Sequence, residues 1–222
     1  MIISADDNSE ILAGGLLGLL IGDALGVPYE FHLPEEIPPL EEIEFEPPMG
    51  FHRAHFGVRP GTWSDDGAQA LVLLESLIRC KTLNLHDFGS GLLRWRNEGF
   101  CAVGSTVFDI GAQTNTGINR IASGYPAEHA GPNSEQMNGN GSLMRVLPLV
   151  LWHVGSDAEL VYLAMRQSLP THGHIRSQLA CAFFCLWARA VMQGLTNPWL
   201  DAESRLWAVA REDEIPTDDL DR

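Results

Sequence analysis

Apolar residues recur along this chain at intervals of three and four, the period that lays one face of an α-helix against a core. On that pattern helices are expected from about Asn8 to Leu25, then over 65–80, 86–97, 105–123, 142–153, 157–169 and 174–193. Convincing period-two alternation is absent, so the pattern predicts an all-α domain with its polar motifs on interhelical loops. In the first helix Gly14, Gly18 and Gly22 recur every fourth residue, which lines one face with bare backbone and predicts close approach of another helix. Between Tyr29 and Pro60 the period breaks into Pro- and Glu-rich chain, including "LPEEIPPLEEIEFEPPMG", a surface loop long enough to carry function. The closing "REDEIPTDDLDR" is charged and poor in apolar residues and reads as a frayed terminus.

Composition narrows this picture. At 222 residues, with no linker, the chain is expected to form one domain over 1–222. A net charge of −15 leaves no clustered Lys and Arg for a nucleic-acid backbone, and a solvated acidic surface is the plain reading. The longest apolar run, "ILAGGLLGLLIG", follows Asp6, Asp7 and Glu10 and is itself too short to span a bilayer, so neither a signal peptide nor a membrane helix is expected. Cys80, Cys101, Cys181 and Cys185 lack zinc-finger spacing and read as reduced core residues of a cytoplasmic protein.

Candidate chemistry gathers at loops that enter helices. In "GTWSDDGAQALVLL", Ser64, Asp65 and Asp66 suit a helix cap, where side-chain oxygens and acidic charge are stabilised, and Asp66 with Gln69 has capping-box spacing. The same hydroxyl and carboxylates are hard oxygen ligands for Mg²⁺ or a similar ion. In "MNGNGSLMRVLPL", Asn138, Gly139, Asn140, Gly141 and Ser142 permit close backbone approach to a phosphate; the alternative is a Gly-rich loop with Ser142 as N-cap. The Lys and spacing of a P-loop are missing. In "THGHIRSQLA", His172 and His174 could touch a ligand or satisfy one another's loop, and nothing beside them completes a zinc site. His86 and Asp87 read as a helix start. Glu30 and Asp109 are each either a structural acid or a tuned acid or base.

Four segments in order, "GGLLGLLIGDALGVPYEF", "GTWSDDGAQALVLLESL", "GNGSLMRVLPL" and "THGHIRSQLACAFF", resemble the ADP-ribosylglycohydrolase family over residues 11 to about 190. The resemblance implies a compact, single-domain, multi-helix orthogonal bundle with a binuclear Mg²⁺ site, or Mn²⁺ in some members, beneath an ADP-ribose cleft. It implies Ser64, Asp65 and Asp66 as metal ligands, with the two aspartates also serving catalysis. Glu30 and Asp109 take acid or base roles on the same footing, while Asn138 to Ser142 and His172 contact the substrate. The implied partner is ADP-ribose or an ADP-ribosylated protein, and the implied reaction is hydrolysis of the glycosidic bond to an acceptor that these motifs do not specify.

The sequence departs from the family at its end. Similar members continue into an Asp-x-Asp-Thr or Asp-x-Asp-Ser group that supplies further metal ligands, whereas here only "PTDDLDR" at 216–222 is found. A C-terminally truncated bundle is therefore expected, with apolar surface left open for association. The alternative is a non-catalytic ADP-ribose-binding or regulatory module.

Overall fold

A computed structural model describes residues 5–212 and 215, with side chains from residue 9 onward. Its helices are α1 (Ala5–Gly26), α2 (Asp65–Cys80), α3 (Leu85–Glu98), α4 (Ala112–Ala122), α5 (Leu147–Trp152), α6 (Asp157–Ser168), α7 (Ile175–Met192) and α8 (Pro198–Glu212). Among the described residues there is no strand, as the all-α pattern predicts. "PTDDLDR" lies outside the described residues.

The core forms where the apolar faces of α2 and α3 meet those of α5, α6 and α7. Leu73, Leu77, Phe88, Leu92, Trp95, Leu149, Leu160 and Leu186 are all buried there. Helix α7 packs against α5, α6 and α8, and its Cys181 and Cys185 are core residues. Cys80 and Cys101 are not: Cys80 ends α2 and Cys101 sits in a turn at positive φ, so both remain partly exposed. All four are free thiols.

Three helical expectations need correction. The 105–123 segment is helical only from Ala112, because Gly104 and Ser105 adopt positive φ in a tight turn and the chain runs irregularly through Asp109 to the N-cap Gly111. The 142–153 helix shrinks to Leu147–Trp152, since residues 142–146 form turns in which Ser142 and Arg145 face buried polar partners while Leu143 and Val146 pack on the apolar core. Helix α8, absent from the periodic reading, buries Ala202, Leu206, Val209 and Ala210. It is joined to α6 and α7 by Asp157, which pairs with Arg189 at 2.8 Å and Arg205 at 3.3 Å.

The glycine face of α1 also differs from expectation. Gly14, Gly18 and Gly22 have no described neighbour within 4 Å of an added Cβ, and Leu17 and Ile21 are about half exposed. Beside this face a groove of about 490 Å³ runs between α1, α5 and α7, lined by Ile11, Leu147, Leu151, Trp187 and Val191. Ser9–Tyr29, with mean hydropathy 1.8, and Ile175–Met192 are long and apolar enough to cross a membrane by length and composition alone, a test that buried core helices also pass.

The 29–60 segment is loop, as predicted, with short 3-10 turns at Pro34–Glu36 and Leu40–Glu42. Its shape depends on Tyr29, whose hydroxyl donates to the Glu44 carbonyl at 2.9 Å and accepts from the Glu44 N–H at 3.1 Å. Ala54 N–H adds a bond to the Pro28 carbonyl, so the loop folds back over the end of α1.

Candidate active-site cleft

The start of α2 builds the floor of the cleft. Ser64 is its N-cap, its hydroxyl accepting from the Asp66 N–H at 3.2 Å. Asp23 of α1 reaches across and accepts from the N–H groups of Ser64 at 2.9 Å and Gly67 at 2.8 Å, capping a helix other than its own. Gly67 is required by this approach: a Cβ there would lie 2.9 Å from both the Asp23 carboxylate and Leu20. Gln69 does not complete a capping box. Its side chain instead turns inward and donates to Asp65 at 3.0 Å.

This cap aims Asp65 and Asp66 into a cleft of about 500 Å³ that Glu30, Asp109, Gly139, Asn140, Gly141 and His172 also line. Ser64 and Ser142 stand behind the wall, each almost fully buried, and Asn138 turns away to bond Ser177 and the Glu135 carbonyl. Among the described residues no Lys or Arg lines the cleft. Asp65, Asp66 and Glu30 are hard to ionise there. Burial first, then Asp66, Asp109 and Asp23, push Asp65 up to about 9. Burial, then Asp23, Glu30 and Asp109, push Asp66 to about 7. Burial also raises Glu30, opposed by the hydrogen bond from His55.

The rim is made by the 29–60 loop and the chain before α4. His55 Nε2 lies 2.6 Å from the Glu30 carboxylate, and ligand atoms of Glu30, His55 and Asp109 fall within 4.8 Å of one another. The His55 ring packs between Phe31 and Phe108 at 5.4 and 5.0 Å between centroids. Phe31, His55 and Asp109 all hold positive φ. This conformation is tolerated by Asp and His and uncommon for Phe.

The opposite wall is the 137–142 loop, and it is not a helix N-terminus. The side-chain amide of Gln113, in the first turn of α4, donates to the Met137 carbonyl at 2.7 Å and accepts from Gly139 N–H at 3.1 Å. The Gly139 N–H is therefore committed within the protein. Ser142 is no N-cap either, since its hydroxyl lies 2.9 Å from that of Ser168 in the interior. Gly141 must be glycine, because a Cβ would meet His172 Cε1 and Thr114 Oγ1 at 2.8 Å. His172 is buried beside Arg145, its Nδ1 2.8 Å from the Thr171 hydroxyl; burial, then the guanidinium charge, lower its pKa to about 3, so the ring is neutral. His174 instead caps α7, accepting the Arg176 N–H at 3.2 Å.

The profile of the family described as ADP-ribosylglycohydrolase matches residues 4–220. The chain belongs to the ADP-ribosylglycohydrolase family. It is 29% identical over 182 residues to the ADP-ribosylarginine hydrolase Tri1 of Serratia proteamaculans, covering 82% of this chain and 47% of that protein. It is 32% identical over 173 residues to the ADP-ribosyl-[dinitrogen reductase] glycohydrolase of Rhodospirillum rubrum, covering 76% and 53%. The Tri1 protein of Pseudomonas putida is 27% identical over 184 residues, covering 82% and 46%. The chain thus spans about half the length of these relatives.

Glu30, Asp65, Asp66, Asp109, Gly139 to Gly141 and His172 line one cleft, but several residues that build it escaped the sequence reading. Asp23 carried a visible signal, a single acid inside the apolar "LLGLLIGDALG". Arg145, wholly buried, stood in plain view as the basic residue of an otherwise apolar "LMRVLPL". His55 and Gln113 carried no local signal, because their roles depend on contacts with residues 25 and 26 positions away.

Proposed function

We propose that this chain is the cleft-bearing part of an ADP-ribosylglycohydrolase that uses Mg²⁺, with Mn²⁺ as a substitute, to hydrolyse the bond between ADP-ribose and an acceptor on protein. The observation that carries this reading is convergence: Glu30, Asp65, Asp66, Asp109, Gly139 to Gly141 and His172 come from separate stretches of chain and line one cleft. The donor set fits a hard cation, since buried carboxylates that repel one another have no Lys or Arg on the cleft wall to balance them. Asp65 and Asp66, which line the cleft, would hold it, while Ser64 behind the wall caps the helix that presents them.

Such a cation supplies Lewis-acid polarisation of ribose hydroxyl oxygens. The loop at Asn140 and Gly141 and the neutral His172 form the wall for the diphosphate and ribose. Glu30, its proton affinity raised by burial, takes a proton from the attacking water as the water oxygen bonds to the anomeric carbon. The electrons of the broken bond pass to the acceptor atom, which takes up a proton relayed from Glu30 by the neighbouring Asp109, so that the water's hydroxyl stays on the ribose and its proton leaves with the acceptor. Free thiols agree with a reducing, cytoplasmic setting.

Release of ADP-ribose from protein carrying ADP-ribosylarginine, with Mg²⁺ and with chelator, tests the reading beside calorimetry with ADP-ribose. Metal-dependent release that Asp65→Asn abolishes supports it, and neither release nor binding overturns it. Because the chain spans only half of its relatives, a binding module is the second reading, and ADP-ribose binding without turnover selects it.

A further inference from the structure

Behind the cleft lies a buried polar connection that joins its two walls through Arg145. This side chain is wholly buried, and among the described residues it makes no ion pair. Its Nη1 donates to the Gln69 side-chain oxygen at 2.9 Å, its Nε to the Gln167 side-chain oxygen at 3.3 Å, and its Nη2 to the Gln167 carbonyl at 3.1 Å. The Phe88 ring lies below, 5.0 Å from the guanidinium carbon.

A guanidinium only donates, whereas a glutamine amide has an accepting edge and a donating edge. Arg145 therefore determines which way both amides face. The Gln69 oxygen is drawn to Arg145, which leaves its NH₂ for Asp65 at 3.0 Å on the carboxylate wall. The Gln167 oxygen is drawn likewise, which leaves its NH₂ for the Ser142 carbonyl at 3.1 Å behind the loop wall. From Ser142 the connection continues to the Ser168 hydroxyl, which donates to the His172 carbonyl at 2.7 Å. Gln69, Gln167, Ser168 and Ser142 are all buried, so bulk water cannot easily substitute for a lost partner.

We infer that Arg145 is a positioning residue that orients the Gln69 and Gln167 amides together and so couples the placement of Asp65 to that of the Ser142–His172 wall. The role in ligand binding rests on the function proposed above; the coupling itself belongs to the folded chain and is measurable without ligand. Lysine cannot replace arginine here, because one ammonium lacks the planar fork that meets both amides.

The test compares wild type with Arg145→Lys, Gln167→Met and Gln167→Glu, following the Gln69 side-chain NH₂ and Asp65 carboxyl resonances by NMR. Gln167→Met touches neither residue, yet it removes an anchor of the guanidinium. It is expected to shift both signals and speed exchange of the Gln69 NH₂. Gln167→Glu keeps an acceptor for Arg145 and is expected to retain the Gln69 signal while disturbing Ser142. Should Gln167→Met and Arg145→Lys, folded by circular dichroism, leave both resonances in place, the coupling is wrong. Free Mn²⁺ measured by electron paramagnetic resonance gives the functional arm, with roughly tenfold weaker binding expected in Gln167→Met, the scale seen when supports of metal ligands are removed. Wild type that binds no Mn²⁺ overturns the cation reading and leaves the NMR result to decide the coupling.

Discussion

Asp65 and Asp66 show how one pair of residues serves both the helix and the cleft. They sit in the first turn of α2, where the helix dipole favours negative charge, yet burial and neighbouring carboxylates raise their pKa values to about 9 and 7. Without divalent cation the folded state then binds more protons than the unfolded chain, whose aspartates titrate near 3.8. Stability should therefore fall as pH rises from about 4 to about 9. Urea midpoints in chelator across that window provide the measurement, and a rise with pH would contradict the assignment. Saturating Mg²⁺ should flatten the curve, adding about 2.7 kcal/mol at a hundredfold excess over its dissociation constant. On the facing wall, Gly141→Ala drives a methyl against His172 and Thr114 and should cost about 1–3 kcal/mol together with ADP-ribose affinity, checked by denaturation and calorimetry.

At the level of elements, the cap on α2 is a contact between helices. Asp23→Ala removes the acceptor for two N–H groups and should destabilise by about 1–2 kcal/mol, whereas Ser64→Ala, which removes one acceptor, should cost less. A negligible cost of Asp23→Ala in urea denaturation would assign the cap to Ser64 alone. The same elements show what was legible in the chain. Helices with one continuous apolar face, α2, α3, α6 and α7, stand within about a residue or two of their periodic segments. The errors arose where apolar residues continue through irregular backbone. Val107 and Ile110 extend the pattern of α4 through turns, and Leu143 extends that of α5, although Ser142 and Arg145 bend inward to buried partners. Helix α8 was missed because charged residues interrupt its small apolar face. The line-up of site motifs was readable from family order, while their clamps, Gln113 and His55, are tertiary contacts that local sequence does not encode.

For the whole molecule, the separation of a closed core from an open α1 face has consequences in solution. Leu17 and Ile21 beside bare glycines give the isolated chain an adhesive surface outside the cleft lining. Leu17→Glu with Ile21→Glu should reduce concentration-dependent association in sedimentation while leaving ADP-ribose affinity within about twofold, since surface changes away from a site are usually near neutral. The opposite side of the molecule depends on a much smaller attachment. The hydroxyl of Tyr29 holds Glu44 through both halves of its peptide backbone, and the loop so fastened carries His55 to the cleft rim. Removing that oxygen would turn a fixed doorway into a swinging one. The difference would appear in time rather than in equilibrium: ligand would enter and leave on the schedule of the loop, and residence time, more than occupancy, would record the loss of a single oxygen atom.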